Sequence, residues 1–210
     1  MILDGTIVGY DPGGNDSHGL VFAQFREGEL ENISLGTYGT ADLVIKAISG
    51  CSDIIAIGID TLTCWSTGRS GWRPADRWLK KKYPKITNSI TSAKSLYGSM
   101  GLNGMSVLIA SRSQFPTLYI SETHPKVLYF ELIGKKYDYK NDQAQMDDFL
   151  TKTLGSKIQT KNDHEWDAAI SAFAVRCGLE GLWSKDLHRL EVDLNERLIT
   201  PCGATHYWWP

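Results

Sequence analysis

Residues 54–60 read IIAIGID, an apolar run with no polar alternation that closes on an aspartate. A strand with one wet face alternates, whereas a strand covered on both faces does not. The segment therefore predicts a central strand with helices on both sides of its sheet, which restricts the chain to a layered α/β architecture.

The neighbouring segments set the order. Residues 5–12 alternate and end in Gly13-Gly14, 18–26 form a second strand, Glu27-Gly28-Glu29 is a tight turn, and 30–37 form a third strand. These three make an antiparallel meander. A helix over 40–50, with Thr40 as its N-cap and Gly50 as its stop, leads into 54–60. From 61 to about 105 the chain is irregular except for an amphipathic helix over 74–83 with Pro74 in its first position, so 62–103 reads as an insertion-like basic and aromatic segment. Helices over 104–112, 125–133, about 143–154 and 163–183, a strand over 117–122 and a mixed tail over 186–210 complete the chain. A meander followed by a helical crossover into parallel strands predicts a mixed sheet flanked by helices, in the order of the RNase H-like fold. We expect a single domain over 1–210.

Length and composition agree with that expectation. A chain of 210 residues, 42% hydrophobic, can bury a full core. No stretch is apolar enough to span a bilayer, and the opening Met1-Ile2-Leu3-Asp4 lacks the basic and apolar regions of a signal peptide. A cytoplasmic location with no membrane partner is expected. The four cysteines (Cys51, Cys64, Cys177, Cys202) form no CxxC pair, which argues against a zinc knuckle and for reduced thiols. Cys64 with His124 has no spacing that supports a thiol enzyme, and a buried inert cysteine is the simpler reading.

Acidic residues stand where a metal site needs them. Asp11, Asp60 and Glu122 end strand-like runs. Ile7, Gly9 and Asp11 share one strand face, and Gly9 leaves room beside the carboxylate. Leu118, Ile120 and Glu122 likewise share a face. Asp163 and Asp167 lie one helical turn apart. On a helical wheel Asp163 projects onto the stripe of Trp166, Ile170, Phe173 and Cys177, Asp167 lies beside it, and Glu165 points away. Each acid taken alone has an ordinary explanation: a turn residue, a helix cap, a strand end in solvent, or an acid favoured by a helix N-terminus. Taken together they point to a divalent cation, because carboxylate oxygens suit Mg²⁺ or Mn²⁺ and adjacent carboxylates repel without one. His124 and His164 are candidate assistants.

The net charge of −2 conceals an uneven distribution. Residues 65–85 carry seven basic residues and one acid, a local charge of +6 on a chain whose remainder carries −8. Trp65, Trp72, Trp78 and Tyr83 are interleaved with them. A cationic, aromatic patch guides a polyanion, although it equally describes a solvated helix face. Arg69, Arg73, Arg77, Lys80, Lys81, Lys82 and Trp72 are the candidate nucleic-acid contacts, with Arg73 and Arg77 one turn apart and able to fork a phosphate.

Several short segments carry a family resemblance. They are Gly9-Tyr10-Asp11-Pro12-Gly13, Ile57-Gly58-Ile59-Asp60, Gly71 to Asp76, Gly101 to Met105, Glu122-Thr123-His124-Pro125, Asp163 to Ala169 and Pro201 to Pro210. In this order they resemble a family regarded as RNase H-like nucleases and catalogued as a domain of unknown function (family 429). The resemblance implies a Mg²⁺- or Mn²⁺-dependent site at Asp11, Asp60, Glu122 and Asp167, with Asp163 as a further metal partner. The loop from Gly13 to Gly19 departs from it.

The expected function is metal-dependent hydrolysis of phosphodiester bonds in DNA or RNA. The alternatives are a non-catalytic RNase H-like binding module and a phosphotransferase of the actin-like superfamily, which would use the first hairpin as a phosphate cradle. Gly13-Gly14-Asn15-Asp16 lacks the ending of a Walker A loop. The tail residues Trp208 and Trp209 either pack inward or form an interface, and nothing in the sequence fixes the oligomeric state.

Overall fold

The computed structural model describes residues 2–91, 98–192 and 196–210. Met1 of the opening, residues 92–97 of the insertion-like segment and residues 193–195 of the tail lie outside the described residues. The first strands are β1 (Gly5–Asp11), β2 (His18–Arg26) and β3 (Glu29–Tyr38), followed by α1 (Ala41–Ser49) and β4 (Ile54–Ile59). A short β5 (Trp65–Ser66), α2 (Pro74–Lys82), a 3₁₀ turn (Pro84–Ser89) and α3 (Gly98–Gln114) follow. The remainder is β6 (Tyr119–Glu122), α4 (Pro125–Ile133), α5 (Tyr139–Leu154), α6 (Asp163–Glu180), β7 (Lys185–Asp186), β8 (Leu198–Ile199) and β9 (Trp208–Trp209).

The main sheet has the order β3-β2-β1-β4-β6. The meander β1–β3 is antiparallel, and β4 and β6 add in parallel. This is the mixed α/β sheet of the RNase H-like arrangement, with helices on both faces. Local chemistry explains the caps. The Thr40 side chain accepts from Leu43 N–H, and Pro74 opens α2, where its missing N–H is not needed. Helix α3 is longer than the segment 104–112 that its pattern marks, because exposed Gly and Ser positions hide its first two turns.

Two cores lie on opposite faces of the sheet. Val8, Tyr10, Leu20, Ile57, Ile59 and Ile120 pack against α1 and α3 through Val44, Ile48, Val107 and Leu108. Ile7, Val21, Ala23 and Ala56 face α6 through Ala168, Ala172 and Val175. Helix α6 lies unusually close to the sheet. A Cβ on Gly9 would stand 1.9 Å from the Ala168 carbonyl oxygen, one on Gly58 1.9 Å from that of Ser171, and one on Gly19 1.9 Å from that of His164. Gly9 and Gly58 are register partners in β1 and β4, so they form a bare track under the small residues of the helix.

That contact, with further elements packed on its other sides, buries α6 on nearly every side. The wheel assignment at its start is therefore corrected. Asp163, placed on the buried stripe by the wheel, is exposed. Glu165, expected to point away, is buried and accepts hydrogen bonds from Thr37 Oγ1 and Lys161 N–H. Phe173 is half-buried. The tail packs inward: Trp209 is buried and its indole N–H donates to Tyr83 Oη at 2.8 Å. β9 pairs with β7, and β8 pairs with β5 of the insertion-like segment. No helix among the described residues is long and apolar enough to cross a membrane.

Candidate functional site

Register decides which acids meet. β1 and β4 are parallel, with Gly9 opposite Gly58 and Tyr10 opposite Ile59. The next residues on the α6 side are Asp11 and Asp60, so they stand side by side at the carboxyl ends of their strands, where α/β sheets gather ligands. Asp167 descends from α6, one residue before the carbonyl that contacts Gly9. Asp11 and Asp167 are buried and Asp60 is half-buried.

The three carboxylates are short of positive partners. His164 Nδ1 lies 2.6 Å from Asp11 Oδ2, and Tyr137 Oη donates to Asp167 Oδ1 at 2.8 Å. Among the described residues Asp60 has no hydrogen-bond partner for its carboxylate, and no Lys or Arg bonds any of the three. All three titrate well above the usual carboxylate range. Burial is the main cause for each; the charge of Asp163 adds to it at Asp11, that of Asp11 at Asp60, and those of Asp11 and Asp60 at Asp167. Lys126 opposes this at all three. Carboxylates gathered without a bonded Lys or Arg are the donor type of a hard divalent ion, so these residues suit Mg²⁺ or Mn²⁺ in chemistry, while among the described residues their oxygens do not all lie within 4.8 Å of one another.

Glu122 belongs to a different arrangement. β6 pairs Glu122 with Ile59, so by alternation it shares the face of Ile59 and Ile120, while Asp11 and Asp60 share that of the two glycines. Its oxygens are occupied. Arg73 Nη1 and Nη2 donate to them at 2.7 and 2.6 Å, and Thr63 N–H adds a bond at 2.9 Å. Despite burial, which raises a carboxylate pKa, Arg73 and His188 hold Glu122 well below its usual range. It already has the cation that the three aspartates lack.

Arg73 is accordingly a correction to the expected nucleic-acid surface. It is 1% exposed, and its guanidinium is divided between Glu122 and Asp76, the latter at 2.7 and 2.9 Å. Other charges of the 65–85 segment are also engaged. Arg77 donates to Ser70 and reaches Glu196, Lys82 pairs with Glu131 at 2.7 Å, and Lys80 lies 4.6 Å above the Trp72 ring. Arg69 and Lys81 are exposed.

Three participants escape sequence reasoning. Lys126 lies in the first turn of α4, where a helix dipole disfavours a cation; that anomaly is the signal that nearby negative charge compensates it. Tyr137 leaves no sequence signal. His188 sits 3.4 Å from Glu122 and 3.6 Å from Cys64 Sγ. Among the described residues, the donor atoms of Cys64, Glu122 and His188 all lie within 4.8 Å of one another. They do not suit a metal, because Arg73 Nη1 already stands 3.6 Å from the sulfur and fills the cationic place. His124 donates from Nε2 to the Ser89 carbonyl, leaving Nδ1 buried without a partner among the described residues; burial lowers its pKa. Asp60, Glu122, His124 and Lys126 border one cleft of about 380 Å³.

No family model matches the chain, and no curated protein matches it. Among solved structures, it is similar to RuvC of Thermus thermophilus, at 12% identity and a TM-score of 0.45 over 84% of this chain and 96% of that one. It is also similar to T. thermophilus RuvC in complex with a Holliday junction substrate, at 10% identity and a TM-score of 0.43 over the same shares. Neither likeness bears on which residues act.

Proposed function

We propose that the protein is a divalent-metal-dependent nuclease that hydrolyses phosphodiester bonds in nucleic acid. The observation that carries this reading is the trio Asp11, Asp60 and Asp167: two acids at the carboxyl ends of parallel strands met by a third from α6, with no Lys or Arg bonded to them among the described residues.

In this reading the three aspartates hold Mg²⁺ or Mn²⁺, and exposed Asp163 closes the rim. The cation, when bound, supplies electrostatic stabilisation of the charge that develops on the phosphoryl oxygens. Tyr137 fixes the rotamer of Asp167 through its hydroxyl, and His164 fixes that of Asp11. Lys126, at the mouth of the cleft, faces the phosphate and offsets its charge. Glu122, a ligand in the sequence reading, acts instead by locking Arg73 and the loop after β4. The reading is tested by incubating labelled DNA and RNA with the protein in Mg²⁺ or Mn²⁺. Cleavage that EDTA abolishes, and that Asp60→Asn and Asp167→Asn reduce below detection, supports it. Cleavage that survives both substitutions overturns it.

A further inference from the structure

The nuclease reading leaves open where a strand would lie. The basic segment at 65–85 is the obvious sequence candidate, yet much of its charge is engaged by Glu122, Asp76, Glu196, Glu131 and an aromatic face. A second cationic surface, scattered in sequence, forms only on folding. Lys85 after α2, Lys126 in α4, Lys136 in the α4–α5 loop, Lys140 in α5 and Lys161 before α6 converge on one recess of about 780 Å³. All five are exposed, and among the described residues none is ion-paired. Asp138 and Asp163 also line the recess, so its walls carry a net positive charge.

The recess adjoins the acidic centre. Tyr137 lines it and donates to Asp167, and Asp163, one turn before Asp167 on α6, lines it too. Lys126 lines both the recess and the cleft beside Asp60. Tyr139 lines it too, with its hydroxyl hydrogen-bonded to Thr160. Positive groups around half-buried rings are the features with which proteins track a single strand, phosphates on the cations and bases on the ring faces. Size narrows the ligand further. A recess of this volume falls within the range of small-ligand sites, about 300–1,000 Å³, so it can enclose a short stretch of one unpaired strand but not a double helix.

We propose that this lysine-lined recess is the substrate groove, and that it takes a single-stranded segment of DNA or RNA whose backbone it delivers to the three aspartates. The inference rests on the nuclease reading for the fate of the strand, but the binding it describes is separately measurable. Five lysines with no ion pair among the described residues gain more from a polyanion than partnered ones, because each phosphate they neutralise releases counterions.

The experiment is fluorescence anisotropy of a fluorescein-labelled single-stranded oligodeoxynucleotide, its RNA counterpart and the duplex of the same sequence. Each is titrated in EDTA with wild-type protein and with the Lys136→Ala/Lys140→Ala/Lys161→Ala variant, over a salt series. Wild type is expected to bind both strands more tightly than the duplex. The variant is expected to bind strands at least about tenfold more weakly, with its salt slope reduced by about 0.7 for each phosphate it no longer neutralises. Equal strand binding by wild type and variant, tighter binding of the duplex, or no strand binding by wild type overturns the groove. Mn²⁺ titration of the same two proteins separates the claims. Groove-dependent strand binding without Mn²⁺ uptake keeps the groove and removes the nuclease; Mn²⁺ uptake with groove-independent binding does the reverse.

Discussion

Arg73 grips Glu122 through two bonds of 2.7 and 2.6 Å, and both side chains are almost wholly excluded from water. The same guanidinium holds Asp76 in the first turn of α2, so one cation joins the insertion-like segment to the end of β6. Removing it leaves two buried carboxylates without a counter-charge. Breaking one side of such a pair costs about 3–5 kcal/mol. Arg73→Ala is expected to lose stability on that order in urea unfolding, and Arg77→Ala, at the surface, under about 1 kcal/mol. Equal losses would contradict the assignment of Arg73 to the interior.

The approach of α6 to the sheet makes a second prediction. A methyl at Gly58 meets the Ser171 carbonyl at 1.9 Å, and backbone on both sides leaves no flexible side chain to yield. Gly58→Ala is expected to destabilise by at least about 1–3 kcal/mol, the usual cost of overpacking. It should also displace Asp60, weakening metal binding beyond what the stability loss explains. Gly14→Ala, in open space, is the control. Matching urea midpoints for the two variants would show that the helix does not sit so close.

These two relationships also explain what was legible in the sequence. The unalternating run at 54–60, the meander and the caps at Thr40 and Pro74 are local signals, and the sheet order follows from them. Asp11 and Asp60 were readable as neighbours once their strands were parallel. Glu122 was not separable from them, because the face a strand end presents depends on register with β4, and register is a long-range property. Arg73 looked like a surface cation because its partners, Glu122 and Asp76, identify themselves only in three dimensions. The five lysines of the recess come from segments up to 76 positions apart, Lys85 to Lys161, and leave no run in the sequence.

His188 supplies a pH prediction. Burial disfavours its charged form, but Cys64 and Glu122 outweigh burial and push its pKa up to about 10 from 6.5. A folded pKa above the unfolded value means that its contribution is fully present below pH 6.5 and is lost as the pH rises through 10. Stability should decline across that window, and His188→Gln should flatten the decline. Urea midpoints measured across the window check this; a slope unchanged in the variant would assign the decline to other groups.

Tyr137 tests the positioning of Asp167. Its hydroxyl is the one hydrogen-bond donor from another side chain to that carboxylate among the described residues. Loss of a partner that orients a ligand costs about 10–100-fold in metal affinity. Tyr137→Phe is expected to weaken Mn²⁺ binding by that factor while the ring stays packed against Trp166. Unchanged affinity would mean that Asp167 does not depend on this bond.

The most direct test of the acidic centre is isothermal titration of Mn²⁺ into wild type and Asp60→Asn, paired with thermal unfolding of both without metal. The Asp60 carboxylate bonds to nothing among the described residues, so the amide removes charge with little disturbance of packing. The account predicts saturable Mn²⁺ binding by wild type that the variant loses. It also predicts that the metal-free variant unfolds at a higher temperature than metal-free wild type near neutral pH, because the cost of burying that carboxylate, to which Asp11 adds, is gone. Mn²⁺ binding that persists unchanged in Asp60→Asn, or a metal-free variant less stable than wild type, would contradict it.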